Sequence, residues 1–401
     1  MTPRPPRAPT LALAASTLVI LVATLTPTRP MPGPPLEGCW VCGAKGLADV
    51  IANVLLFTPL GAALFLRTRR VGWSLLFGAL LSAGVELTQY HVPGRDPSLG
   101  DLLSNTLGTG LGVLVVASWP LWRAPGRRRW VAPLLATAVA LGVLAGGSVL
   151  IVPALPAGPL VASWSPVRPD LYPYTGKVLR AGVGHLAPVP GPVRDPGLLR
   201  ERFRDGAPVH VTAVAGPAPP GLSPLFTLQD SREVDVLLLG LDRRELVFRF
   251  RTRASALRLG TPDLRLAVPA AELRAGNRID ARARRTGRGY CLSLNRATDC
   301  SLGFTLGDTW SVLFYPGSLP PAEKLLLQLF WMAALFVPAG FWTRRRADAL
   351  PFAALTVVAL VGLPRLLPCE PTPPEQVAAA LVGILAGMAL ARFVPGTEAP
   401  G

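Results

Sequence analysis

Histidine is almost missing from this chain: 3 of 401 residues, at positions 91, 185 and 210. There is no H-x-x-x-H pair, no glycine-rich nucleotide loop and no G-x-S-x-G. The motif-borne metal, nucleotide and serine-hydrolase chemistries therefore have nothing to rest on, and no cofactor is expected. Charge is also scarce. Only 16% of residues are charged, and the 24 acids are outnumbered by 40 bases, for a net charge of +16. Such a balance can mark a nucleic-acid binder, but here the bases are bunched at "RTRR" (Arg67–Arg70), "RAPGRRR" (Arg123–Arg129) and "TRRR" (Thr343–Arg346). That spacing excludes a nucleic-acid footprint and suits turns between membrane spans.

What the chain does have is apolar length. Half of it is hydrophobic, and eight runs approach the roughly 20 residues needed to cross a bilayer. They are Thr10–Thr26, Leu47–Leu66, Val71–Tyr90, Leu102–Leu121, Val131–Val152, Lys324–Phe341, Ala349–Leu367 and Gln376–Val394. Thr10–Thr26 reads either as a signal peptide behind Arg4 and Arg7 or as an uncleaved helix. The lack of a small-residue cleavage site after Leu25 favours the helix. With eight spans all three basic clusters fall on one side, which the positive-inside rule makes cytoplasmic, together with both termini. The expectation is a multi-pass membrane protein with everything else outside.

Four units follow: 1–122 (four helices), 123–153 (a fifth helix), 154–321 (an extracytoplasmic β domain) and 322–401 (three more helices). Pro153–Pro224, rich in Pro and Gly, reads as turns and linkers with one short helix at Pro196–Arg204. From Leu225 the chain alternates in "LFTLQ", "VDVLLLGLD", "ELVFRFRTRA", "LRLAV", "NRIDARARR", "YCLSLN" and "WSVLFYP", the pattern of half-buried strands in a sandwich. Arg249 and Arg251 interleave with Val247, Phe248 and Phe250, giving either a solvated outer face or a stripe for anionic glycan or lipid headgroups. All five cysteines lie on or near the outer, disulfide-permissive side. Cys291 and Cys300 bracket a hairpin-like turn around Asn295 and are expected to be bridged. Cys39 and Cys42, in "CWVC", form a second candidate pair without a thioredoxin-like setting. Cys369 is left over.

One stretch resists a purely apolar reading. Between two apolar segments, "GVELTQYHVPGRDPSLGDLLSNTLGTGLG" (Gly84–Gly112) carries Glu86, Gln89, Arg95, Asp96, Asp101 and Asn105. Ionisable groups within a membrane are expensive and are rarely accidental. Asp49 and Asn53 share a helix face, as do Asp101 and Asn105 four apart and Glu86 and Gln89 three apart. Topology puts them all at one depth, in the outer third of the bilayer. Two readings are open. One is a structural network in which Arg95 pairs with Glu86 or Asp101. The other is a ligand pocket of Asp49, Asn53, Glu86, Gln89, Arg95, Asp96, Asp101 and Asn105, with acid in excess. His91 is the histidine nearest to this cluster.

These residues carry a resemblance. Cys39–Cys42, "GLADVIANVLLFTPLG", the E-x-x-Q of Glu86 and Gln89, the turn Pro93-Gly94-Arg95, and the D-x-x-x-N-x-x-G of Asp101, Asn105 and Gly108 together resemble the VanZ-like family of bacterial membrane proteins, over roughly Thr10–Trp122. Members often carry a histidine in the helix that Asp49 opens; here Asn53 is the nearest polar residue. The family link implies a cell-envelope protein and glycopeptide antibiotic tolerance, without supplying a reaction. The insert resembles concanavalin A-like or laminin-G-like jelly rolls in its strand pattern and Cys pair.

A further pattern is internal. "DVIANVLLFTPLGAALFLRTRR" and "KLLLQLFWMAALFVPAGFWTRRR" share F-x-P-x-G at Phe57, Pro59, Gly61 and Phe336, Pro338, Gly340, each before a basic turn. "GDLLSNTLGTGLG" and "EQVAAALVGILAG" align Gly108 and Gly112 with Gly383 and Gly387. This reads as a duplication in which the second half has exchanged Asn53 for Met332, Asp101 for Gln376 and Asn105 for Ala380. Three functional classes fit: an envelope protein binding glycan, peptide or a lipid-linked precursor outside; a membrane-embedded enzyme with Glu86 or Asp101 as acid or base and Arg95 on a phosphate; and a transporter. The first is favoured, with membrane lipid and an envelope ligand as partners.

Overall fold

A computed structural model describes residues 7–27, 45–95, 97–122, 128–314, 319–343 and 346–392. In chain order it forms helices α1 (Arg7–Leu25), α2 (Gly46–Thr68), α3 (Val71–Gln89), α4 (Leu99–Ala117), the single turn α5 (Trp119–Trp122) and α6 (Arg128–Leu150). Strands β1 (Leu160–Trp164), β2 (Lys177–Val183) and β3 (Gly191–Pro192) come next, then helix α7 (Pro196–Arg204). They are followed by β4 (Val209–Val214), β5 (Leu222–Asp230), β6 (Asp235–Asp242), β7 (Glu245–Phe250), the turn α8 (Arg253–Ala256), β8 (Leu264–Ala267), β9 (Arg278–Thr286), β10 (Gly289–Leu294) and β11 (Ala297–Leu302). A 3₁₀ turn, Leu306–Val312, leads to α9 (Pro321–Phe341), α10 (Arg346–Leu366) and α11 (Pro374–Ala391).

Seven of these helices are long and apolar enough to cross a membrane: α2, α3, α4, α6, α9, α10 and α11; the apolar part of α1, Pro9–Leu25, is shorter. This is a multi-pass membrane protein. The expected fourth span, Leu102–Leu121, is cut short because α4 closes at Ser118 and Pro120 lies in the separate turn α5.

The sandwich pairs a six-stranded sheet, β3-β1-β5-β6-β7-β8, with a five-stranded sheet, β11-β10-β9-β4-β2, all neighbours antiparallel. Its core comes from the period-2 pattern. In β4, Val209, Val211 and Ala213 point inward between half-buried neighbours, and in β9 Ile279, Ala281 and Ala283 do so between Arg278, Asp280, Arg282 and Arg284. Two expectations are corrected here. Pro153–Pro224 is no linker; it supplies β1 to β4, short alternating runs such as "VHVTAV" that the surrounding prolines obscure. The start of "WSVLFYP", Trp310–Val312, is not a strand, because Thr305 and Asp308 form a capping box that starts the 3₁₀ turn instead; Tyr315 and Pro316 lie outside the described residues.

The two readings left open for Arg249 and Arg251, a solvated face or a stripe for anionic ligands, both give way to pairing within the domain. Arg249 is paired with Asp263, Arg251 with Asp230 at 2.8 Å, and Arg265 with Asp242 and Glu245 at 2.8 and 2.7 Å. Burial alone would lower the pKa of Arg249; the Asp263 carboxylate outweighs it and holds the guanidinium above its ordinary value. These arginines are neutralised within the sheet and do not form a free cationic stripe.

Because the sandwich is inserted between α6 and α9, it sits at the end of the helices where α2 and α11 begin. The N–H of Ala48 donates to the Arg258 carbonyl at 3.4 Å, and that of Glu370 to Phe304 at 2.9 Å. Arg288 donates to the carbonyls of Pro364 and Arg365 at the end of α10.

Two helix pairs organise the membrane part, and both cross through glycine. A Cβ on Gly61 would stand 2.0 Å from the Thr109 oxygen, on Gly108 2.4 Å from that of Val54, and on Gly112 2.0 Å from that of Thr58. In the pair α9 and α11, a Cβ on Gly340 would stand 1.8 Å from the Ile384 oxygen, on Gly383 2.1 Å from that of Ala333, and on Gly387 2.0 Å from that of Val337. Only glycine lets the backbones approach this closely, the small-xxx-small mode of membrane helix packing. The two crossings agree position by position. In the register set by Phe57 and Phe336, both fully buried, Val54 falls on Ala333 and Thr58 on Val337. With Gly108 on Gly383, Thr109 falls on Ile384.

Candidate functional site

The polar groups of the first helix pair gather where α4 begins. Ser98 caps α4, its Oγ accepting the Asp101 N–H at 3.0 Å, while its own N–H donates to Glu86 Oε2 at 2.9 Å. The end of α3 is thus tied to the start of α4. Asn53 Nδ2 donates to Asp101 Oδ1 at 2.7 Å, tying α2 to the same point. Asp49 lies one turn before Asn53 and is exposed, close enough to Asp101 for the two carboxylates to repel. Asp49, Asn53, Glu86, Ser98 and Asp101 therefore form one cluster at the sandwich end of the helices.

The other expected residues do other work. Asn105 is buried one turn deeper, and its Nδ2 donates to Ser82 Oγ at 2.9 Å while its Oδ1 has no partner among the described residues. Gln89 Nε2 donates to the Thr24 carbonyl at 3.1 Å, and Arg95 donates to Thr26 at 3.0 Å and Ala23 at 2.7 Å. These two side chains satisfy the carbonyls that a helix end leaves open, here those of α1. The network in which Arg95 pairs with Glu86 or Asp101 is overturned, because the guanidinium is committed to α1. His91 is exposed in the α3–α4 turn. Asp96, Cys39 and Cys42 lie outside the described residues.

Among the described residues, no ion pair reaches Asp49, Glu86 or Asp101. Nor do three His, Cys, Asp or Glu side chains converge closely enough to hold a metal ion among the described residues. What the cluster offers is carboxylate oxygens with capacity to accept hydrogen bonds.

The second helix pair shows what such positions can hold. In the register of the shared glycines, Lys45 falls on Lys324, Asp49 on Gln328 and Asp101 on Gln376. Gln376 is buried; its Oε1 accepts the Gly307 N–H at 3.0 Å and its Nε2 donates to Thr305 Oγ1 at 2.8 Å. Gln328 Nε2 donates to Asp308 Oδ1 at 2.6 Å, and Lys324 Nζ lies 3.3 Å from the same oxygen. Trp331 Nε1 donates to Thr309 Oγ1 at 2.9 Å. The turn Thr305–Thr309 thus fills the end of the α9–α11 pair, held by these three positions.

Sequence reasoning missed this turn, Ser98 and the two lysines. A signal was present: "SLGD" at 98–101 and "TLGD" at 305–308 are both S/T-x-x-D cap strings before a helical turn.

Cys291 and Cys300, on adjacent strands β10 and β11, are bridged, and Asn295 turns the hairpin with φ 49°. Cys369 is free and buried between α10 and α11, and burial pushes its thiol pKa up to about 11.

With this geometry in place, the comparisons can be stated. Residues 14–122 match the VanZ/LLP1 family model, a match that covers most of α1 and all of α2 to α4. The β-rich region lies beyond that match. No curated protein and no solved structure matches the chain.

Proposed function

We propose that this chain, a membrane protein whose first four helices carry the VanZ/LLP1 pattern, binds a cell-envelope ligand at the Asp49–Asn53–Glu86–Asp101 cluster. We read α1–α4 and α6, α9–α11 as two copies of one unit, with the sandwich inserted in the second. The observation that carries the function is the contrast between the copies. Gln328, Gln376 and Lys324 hold a peptide turn, whereas Asp49, Asp101 and Lys45 hold none among the described residues. Carboxylates in place of carboxamides would favour a ligand rich in N–H, ammonium or hydroxyl donors, because charge-assisted hydrogen bonds are roughly twice as strong as neutral ones. An envelope peptide or glycan, free or lipid-linked, supplies such donors.

On this reading the basic turns at Arg67–Arg70, Arg123–Arg129 and Thr343–Arg346 face the cytoplasm of a bacterial inner membrane, and the sandwich, read as a concanavalin A-like or laminin-G-like fold, lies outside. Glycopeptide tolerance is the phenotype to measure. Asp101→Asn, Asp49→Asn and Glu86→Gln keep shape while removing charge. They should fold, judged by yield and thermal unfolding in detergent, yet lose the phenotype and any envelope ligand that native mass spectrometry finds on the wild type. Full retention of both by all three variants would overturn the reading. So would a carboxyl-directed crosslink joining Asp101 to the 28–44 segment in the isolated protein, since the first unit would then be filled by its own chain.

A further inference from the structure

A second feature, independent of the α2–α4 cluster, lies where α6 enters the sandwich. A cavity of about 310 Å³ opens between the two sheets, at the low end of the range for small-ligand sites. Val152, two residues beyond the end of α6, is among its lining residues, so with α6 as a span the cavity adjoins the membrane surface. The inner wall is formed by Phe248 and Tyr290, 1% and 5% exposed. Tyr290 stacks on Phe250, but its hydroxyl has no hydrogen-bond partner among the described residues. Burial raises its pKa well above the ordinary tyrosine value, so at neutral pH this lining residue keeps a protonated hydroxyl able to donate.

Three arginines complete the lining: Arg204 from α7, Arg253 from α8 and Arg285 from β9. None of them is ion-paired among the described residues. By contrast, Arg249 and Arg265 on the six-stranded sheet and Arg251 just after β7 each have a carboxylate. Three elements thus bring three like charges to one opening and provide no counter-charge there. An aromatic inner wall behind a cationic rim suits a molecule with an apolar part and an anionic head. Arginine matches phosphate oxygens bidentately.

We propose that this cleft takes the phosphate head of a membrane amphiphile, with Arg204, Arg253 and Arg285 on the phosphate, the Tyr290 hydroxyl donating to it and the chain's first carbons against Phe248. The amphiphile is a bilayer phospholipid or a lipid-linked phosphate carrier; both present the same chemistry.

The test uses full-length protein in detergent, with native mass spectrometry of complexes formed with lysophosphatidylglycerol, a short polyprenyl phosphate, lysophosphatidylcholine and inorganic phosphate. The two anionic amphiphiles should be retained at least tenfold better than lysophosphatidylcholine, and the better retained of the two identifies the source. The double variant Arg253→Gln/Arg285→Gln should lose that tenfold preference with an unchanged melting temperature. Arg284→Gln, outside the cavity on the same strand, should keep it. Tyr290→Phe should weaken retention several-fold. Equal retention by wild type and double variant, or no preference over lysophosphatidylcholine, would overturn the proposal. Full displacement by equimolar inorganic phosphate would overturn its amphiphile part. None of these readouts involves Asp49, Glu86 or Asp101, so this site and the one proposed above stand or fall separately.

Discussion

Gln376 accepts the backbone N–H of Gly307 at 3.0 Å, both residues buried between α11 and the 3₁₀ turn. A Cβ at 307 would stand 2.4 Å from the Gln376 side chain. Gly307→Ala is therefore expected to push the Gln376 carboxamide aside and break its hydrogen bond to the turn. The cost should be about 1–3 kcal/mol for the overpacking, with more for the lost hydrogen bond. Thermal unfolding in detergent measures it. An unchanged midpoint would mean that the turn is only loosely docked and that its use as a guide to the first helix pair is unsound.

The glycine crossings give a sharper contrast. Gly108→Ala and Gly383→Ala each drive a Cβ into a facing backbone oxygen, at 2.4 and 2.1 Å. Backbone cannot move aside as a flexible side chain can, so each should lose about 1–3 kcal/mol or more. Gly84→Ala, with nothing within 4 Å, should instead gain roughly 0.5–1 kcal/mol from helix propensity. If all three behave alike in a detergent melt, the crossings do not support the bundle.

In the sandwich, Asp263 holds two arginines, Arg249 and Arg265, with its own side chain fully buried. Asp263→Ala should cost about 3–5 kcal/mol by leaving Arg249 uncompensated, while Arg265 keeps Asp242 and Glu245. Asp170→Ala, at an exposed pair with Arg168, should cost under about 1 kcal/mol. The same network has a pH signature. Burial pushes Asp230 up, but the Arg251 hydrogen bond and backbone N–H groups outweigh it, so its folded pKa lies below the ordinary 3.8. A depressed carboxylate contributes stability that is present above the unfolded value and lost as pH falls through the folded one. The unfolding midpoint should drop steeply on acidification below about pH 4. Asp230→Asn should remove part of that slope, and an unaltered slope would show that Asp230 does not contribute.

The thiols should separate cleanly. Cys291 and Cys300 are bridged, so intact-mass alkylation without reductant should leave both unlabelled, and reduction should destabilise the hairpin by about 2–4 kcal/mol. Cys369 is 2% exposed with its thiol pushed up to about 11. It should resist iodoacetamide near pH 8 in the folded protein and react once the protein is unfolded, since the thiolate is the nucleophile. Rapid native labelling at Cys369 would place it at an exposed edge of α10 and α11, contrary to this packing.

Much of this protein was determined by its sequence alone. Apolar run length defines the spans, because a bilayer demands a fixed number of residues per crossing. Alternation defines the later strands, because side chains on a strand point to opposite faces. The repeated F-x-P-x-G and G-x-x-x-G strings mark the helices that cross through glycine. The polar cluster was legible as a set of residues at one depth, because helical spacing assigns faces. Partner choice was not. Arg95 could reach a carboxylate or the end of α1, and only the packing of α1 beside the α3–α4 turn decided for the carbonyls. Arg249 and Arg251 looked solvated until β5 and the segment before β8 brought Asp230 and Asp263 beside them. The strands within Pro153–Pro224 and the docked turn Thr305–Thr309 depend on contacts between residues far apart in the chain. Local pattern carries propensity and face, whereas pairing is fixed only when distant segments compete for the same space and the same hydrogen-bonding groups.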